Sequence, residues 1–111
     1  MPLQEQVKFE PQGKDVRGTS RLNSRVPVAL ESTESGQLVR AEGFTKDVSS
    51  RGCLAIVPHA FAVGEKLRVI NLANQNSCEA VLIWRGHEGP AGWELGLELQ
   101  ERLPNFWGLD F

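Results

Sequence analysis

The sequence predicts an all-β fold: six short strands in an antiparallel barrel or sandwich. Three observations carry this reading. Large apolar residues recur at alternate positions in short runs, glycine- and proline-containing turns separate the runs, and no long amphipathic stretch has a helical period. At 111 residues the chain forms one domain with a modest core.

Residues 1–20 are polar and charged, broken by Pro2, Pro11, Gly13 and Gly18, and read as a mobile arm. The first strand follows Arg25, where Val26, Val28 and Leu30 alternate. Pro27 lacks an N–H, so this strand belongs at an edge or turns the proline's amide outward. Ser35 and Gly36 turn the chain into a second strand over 38–46. A third, 53–57, is a near-continuous apolar run ended by Pro58. Phe61, Val63 and Gly64 lead into a fourth over 66–72, and the polar loop 73–77 into a fifth over 78–85. The glycine-rich stretch 86–92 signals a hairpin. The sixth strand shows the clearest alternation, with Trp93, Leu95, Leu97 and Leu99 on one face and Glu94, Gly96, Glu98 and Gln100 on the other. The segment 103–111 is too apolar for a free tail and is expected to plug one end, as coil or a helical turn started by Pro104. The resulting division is an arm over 1–20, a barrel over 21–100 and a packed tail over 101–111.

Charge narrows the function classes. Twelve Lys and Arg against 14 Asp and Glu give a net charge of −2, a poor balance for sliding along DNA or RNA. The cations are nevertheless clustered: Lys14, Arg17, Arg21 and Arg25 face only Asp15 over 14–25. A local patch of this size suits a compact anion better than a polymer. Cys53 and Cys78 lie in apolar strands and read as small buried hydrophobes. The first ten residues carry no apolar signal segment, and no run approaches the roughly 18 residues that span a bilayer. A cytoplasmic protein without membrane insertion is expected.

Two polar motifs stand at strand entrances. Arg21-x-x-x-Arg25 runs into the first strand, and Asp47-x-Ser49-x-x-Gly52 runs into the third. Guanidinium forks match phosphate oxygens or the O6/N7 edge of guanine. Two arginines four residues apart reach across one small ligand, their Cα atoms at most about 13 Å apart in an extended chain. The spacing alone also admits Arg17 with Arg21. In the second motif Asp and Ser close turns on their own backbone, and glycine supplies a positive φ. Such a turn also pre-organises donors and acceptors. Asp47 repels phosphate but accepts paired hydrogen bonds from the N1–H and N2–H₂ edge of guanine.

With these motifs, the strand order, the 81–84 strand Val-Leu-Ile-Trp and the 96–99 strand Gly-Leu-Glu-Leu, residues 17–100 resemble the PilZ domain. The tail resembles an extension present in some members. The resemblance implies a six-stranded β-barrel that binds the bacterial second messenger cyclic di-GMP. It puts the first motif at Arg21, because the family's strand starts right after the second arginine. Arg21 and Arg25 would then grip phosphates and guanine edges, and Asp47, Ser49 and Gly52 would form the rim that holds a guanine. Arg17 and Arg51 are additional candidate contacts. Ser20 sits where the family distinguishes one ligand molecule from a stacked pair.

Other residues add little. His59 and His87 lack metal-ligand spacing. Trp84 and Trp93 fit the barrel core or its rim, with base stacking the alternative for one of them. No nucleophile–base pair or paired carboxylates suggest an enzyme, and no catalytic cofactor is expected. The expected function is a cyclic di-GMP receptor whose arm orders on the ligand and signals to a downstream protein. Two alternatives remain open: an adaptor of the same fold that binds a protein without nucleotide, and a small barrel for single-stranded nucleic acid.

Overall fold

The computed structural model describes residues 24–34, 36–101, 103 and 105–108. Six strands run in chain order: β1 (Pro27–Ser32), β2 (Val39–Ser49), β3 (Gly52–Val57), β4 (Lys66–Asn71), β5 (Ser77–Gly89) and β6 (Gly92–Leu99). They close a barrel in the order β1-β2-β3-β6-β5-β4, every neighbouring pair antiparallel. Closure leaves β1 no edge, which removes one of the two places expected for Pro27. Pro27 is tolerated because it is the first residue of β1, where a missing N–H costs least. Its carbonyl still accepts the Leu72 N–H at 2.9 Å.

The alternation seen in the sequence becomes inside and outside. Val28, Leu30, Val69, Leu82 and Leu95 are fully buried, and Leu97 and Leu99 nearly so. Burying one such side chain stabilises by roughly 1.5–3 kcal/mol, so this interior carries the fold. Cys53 and Cys78 are buried and form no disulfide. Phe61, which follows β3, closes one end of the barrel at 1 % exposure. Phe106 and Trp107, which follow β6, close the other.

The described tail residues form turns, and Phe106 and Trp107 among them pack into the core. Phe106 and Trp107 meet edge to face, their ring centroids 4.8 Å apart. The fully buried Asn71 donates from Nδ2 to the Phe106 carbonyl at 2.9 Å, and Asn74 does so at 3.2 Å. The Trp107 indole N–H donates to the Ser49 carbonyl at 2.8 Å.

Two strands outrun the sequence reading. β2 continues past residue 46 through Ser49, and β5 continues past residue 85 through Gly89, so the chain reverses only at Pro90 and Ala91. Asp, Ser and Gly have low strand propensity, and pairing with a neighbour on each side overrides it. His87, expected in a loop, lies on this extended β5. Both long strands also break register once or more. One shift falls between Thr45 and Asp47 on β2; on β5 shifts fall between Leu82 and Trp84 and between Arg85 and Glu88.

Candidate functional site

The register shifts decide what the outer surface presents. On β2, Thr45 and Val48 point inward, and of the two residues between them Lys46 is exposed and Asp47 half-buried, with its Oδ1 enclosed. On β5, Leu82 points inward, and Ile83 and Trp84 are both exposed, at 55 % and 47 %. Bulges re-aim side chains in this way, and they concentrate at binding sites.

The pairing then fixes a lateral row. Asp47 pairs Leu54, Leu54 pairs Gly96, and Gly96 pairs Trp84. One carboxylate, one aliphatic side chain, a glycine and an indole thus lie side by side across β2, β3, β6 and β5. Three strand spacings separate the ends of this row, about 14 Å along the sheet. Of the places the sequence reading left open for Trp84, the core is therefore ruled out; the bulge at Ile83 puts it outside. Its side chain lies against two glycines. A Cβ at Gly86 would stand 2.5 Å from Trp84 Cη2, and one at Gly96 would stand 3.2 Å from Trp84 Cβ. Trp93 is half-buried at the far end of β6, with the Arg85 guanidinium 5.4 Å from its ring centroid.

The second motif is strand rather than turn for half its length. Asp47 and Ser49 lie on β2, Ser50 and Arg51 make the reversal, and Gly52 opens β3. The Ser49 hydroxyl accepts the Arg51 N–H at 3.2 Å, which braces the reversal. Arg51 is exposed at its tip, and its carbonyl accepts the Leu99 N–H at 2.8 Å. Gly52 has no positive φ, contrary to expectation. Its requirement is proximity: a Cβ there would stand 2.0 Å from the Leu97 carbonyl oxygen.

Of the first motif, Arg25 is described; Arg17, Ser20 and Arg21, with the whole arm, lie outside the described residues. Thr45 anchors the chain around Arg25. Its hydroxyl donates to the Ser24 carbonyl and accepts the Val26 N–H at 2.8 Å, while its own N–H reaches the Val26 carbonyl at 3.0 Å. Tethered on both sides, Arg25 lays its guanidinium 4.1 Å from the Phe44 ring centroid. Phe44 is 44 % exposed and pairs with Ile56, so it belongs to the row next to that of Asp47. A hollow of about 490 Å³ adjoins them, lined by Arg25, Phe44, Lys46 and Ile56 among others.

Lys46 bridges this surface to Glu94 on β6 at 2.7 Å. The hydrogen bond that the ammonium donates to that carboxylate holds its pKa above the usual lysine value, with a smaller contribution from the charge of Asp47. The arrangement sets a placed guanidinium, the half-buried Asp47 carboxylate and an exposed indole on one side of the barrel. Among the described residues no cluster of His, Cys, Asp and Glu is arranged to hold a metal. They include no helix long and apolar enough to cross a membrane.

A family model described as the PilZ domain matches residues 15–105. Among solved structures, the inhibitor of motility from Bacillus subtilis (MotI/DgrA) superposes with a TM-score of 0.62 at 20 % identity. That match covers 84 % of this chain and 46 % of the other, so the chain spans about half the length of the structure it resembles. No curated protein sequence matches.

Proposed function

We propose that this chain, which belongs to the PilZ domain family, is a cytoplasmic bacterial receptor for cyclic di-GMP that signals to a partner protein. The family is one of cyclic di-GMP receptors that are binding and adaptor proteins rather than enzymes. The observation that carries the reading is the row Asp47–Leu54–Gly96–Trp84, flanked by Arg25 on Phe44.

In this reading the Asp47 carboxylate accepts the N1–H and N2–H₂ of one guanine, and Arg25 meets a phosphate or the O6/N7 edge. Ser49 and Gly52 hold the rim, Ser49 by bracing the reversal and Gly52 by letting β3 sit close against β6. Trp84 supplies a face on which a base stacks, a contact worth about 1–3 kcal/mol. Arg21, with Arg17 and Arg51 as further candidates, adds cationic donors, and Ser20 bears on how many ligand molecules fit. The arm is repelled by its own like charges until the dianion neutralises them, and its closed form is what a partner reads.

Calorimetric titration of the folded chain with cyclic di-GMP tests this. Saturable heat at micromolar ligand, weakened in Arg25→Ala and Asp47→Ala, is expected. Silence from the folded wild-type chain sinks the proposal.

One observation favours a second reading, the adaptor that works without nucleotide. Val63, Ile83 and Trp84 are each exposed, and the bond from Gly64 N–H to the Leu82 carbonyl, at 2.7 Å, brings the chain at 63–64 beside β5. Together they make an apolar surface of the kind that protein partners cover. The nucleic-acid reading has less support: Arg40, Lys46 and Arg68 are each neutralised by glutamate rather than arranged as a basic groove.

A further inference from the structure

A hydrogen bond joins the tail to the second motif. Trp107 is 4 % exposed, and its indole N–H is a donor that burial obliges to find an acceptor. The acceptor is the carbonyl of Ser49, the last residue of β2 before the chain reverses toward Gly52. The tail is fixed independently one residue earlier, where Asn71 and Asn74 both donate to the Phe106 carbonyl. Asn71 ends β4, which is separated from β2 by β1. The tail thus spans the barrel end from a rigid anchor on β4 to the motif on β2.

We propose that Trp107 is a positioning residue of the ligand site, clamping the reversal at 49–52 in the form a ligand meets. The proposal rests on the cyclic di-GMP reading of that motif. Ser50 and Arg51 are the two residues of the reversal, and their positions follow from where the Ser49 peptide is held. Arg51 N–H bonds the Ser49 hydroxyl, so a rotation of that peptide moves both the side chain and the tip. Loss of the indole donor removes one hydrogen bond from the Ser49 carbonyl while the barrel ladder stays intact. By linkage, a ligand that fixes the reversal also tightens the seating of the tail.

The test uses the full chain in two variants. Trp107→Phe keeps an aromatic ring, and replacement of Trp107 by benzothienylalanine keeps the bicyclic shape without the N–H. Backbone amide exchange at residues 50–52 is followed by NMR without ligand, and cyclic di-GMP affinity by calorimetry. Faster exchange at the reversal in both variants, with affinity weakened about tenfold, is the expected result. If Trp107→Phe does not fold, the isostere decides. Unchanged exchange in a folded variant overturns the proposal, as does faster exchange with unchanged affinity. If the wild-type chain binds no cyclic di-GMP, it is the receptor reading that fails, and exchange at 50–52 alone decides whether Trp107 clamps the reversal.

Discussion

The barrel has a regular half and an irregular half, and they serve different ends. Around β1 and β4 the register runs unbroken, with Pro27 to Ser32 pairing Phe44 to Val39, and Val28 to Glu31 pairing Asn71 to Arg68. Its surface is closed by ion pairs, such as Arg40 with Glu31 and Glu42. Between β2 and β3 and between β5 and β6 the register slips, and the slips bring Asp47 and Trp84 into one row. The interior beneath both halves is equally apolar, with Leu30 under one and Leu95 under the other, each fully buried. Regular pairing maximises the ladder, whereas a bulge gives up pairing at one residue to aim its neighbours. Where the molecule accepts that loss, it has gathered the chemistry.

Four substitutions separate the halves, in descending order of effect. Gly52→Val forces a side chain into the Leu97 carbonyl and should destabilise by about 3 kcal/mol or more, seen as a lower urea midpoint with unchanged slope. Asp47→Ala should leave a folded chain whose cyclic di-GMP affinity falls about a hundredfold, in line with removing one partner of a charge-assisted pair. Trp84→Ala should weaken the same binding about tenfold while leaving the thermal midpoint almost unmoved, because the ring is half exposed. Arg40→Ala, in the regular half, should change neither binding nor, measurably at physiological salt, stability. A loss of affinity in Arg40→Ala equal to that in Trp84→Ala would break the division.

The Lys46–Glu94 bridge gives a smaller, pH-dependent effect. Because the folded-state pKa of Lys46 is raised, its contribution is complete below the ordinary lysine range and is lost as pH rises through the raised value. Wild-type and Lys46→Met thermal midpoints should therefore differ by a constant amount at neutral pH and converge in strong alkali. A gap that widens there would contradict the bridge.

What the sequence revealed and what it hid divide along the same line. The interior was legible because period-2 alternation is imposed by the pleat, as in Trp93, Leu95, Leu97 and Leu99. The motif was legible too, but its geometry was not. Asp47 and Ser49 read as turn residues because their side chains favour turns, yet pairing with β3 holds them in strand. Gly52 read as a positive-φ glycine because local chemistry cannot show that Leu97 lies against it. Trp84 read as core or rim because a bulge, which shifts the period by one residue, leaves little local signature. The Trp107 contact was hidden for a different reason: it joins residues 58 positions apart, and no spacing rule reaches that far. The positions of Arg17, Ser20 and Arg21 were legible only as a motif.

The most direct test of the account is a map of backbone and indole NMR shifts during titration with cyclic di-GMP. The account predicts that the largest shifts fall on Arg25, Asp47, Leu54, Gly96 and the Trp84 indole, in a band across β2, β3, β6 and β5, with Arg40 and Arg68 unmoved. A band centred on β1 and β4, or no shift at all in a folded chain, would contradict it.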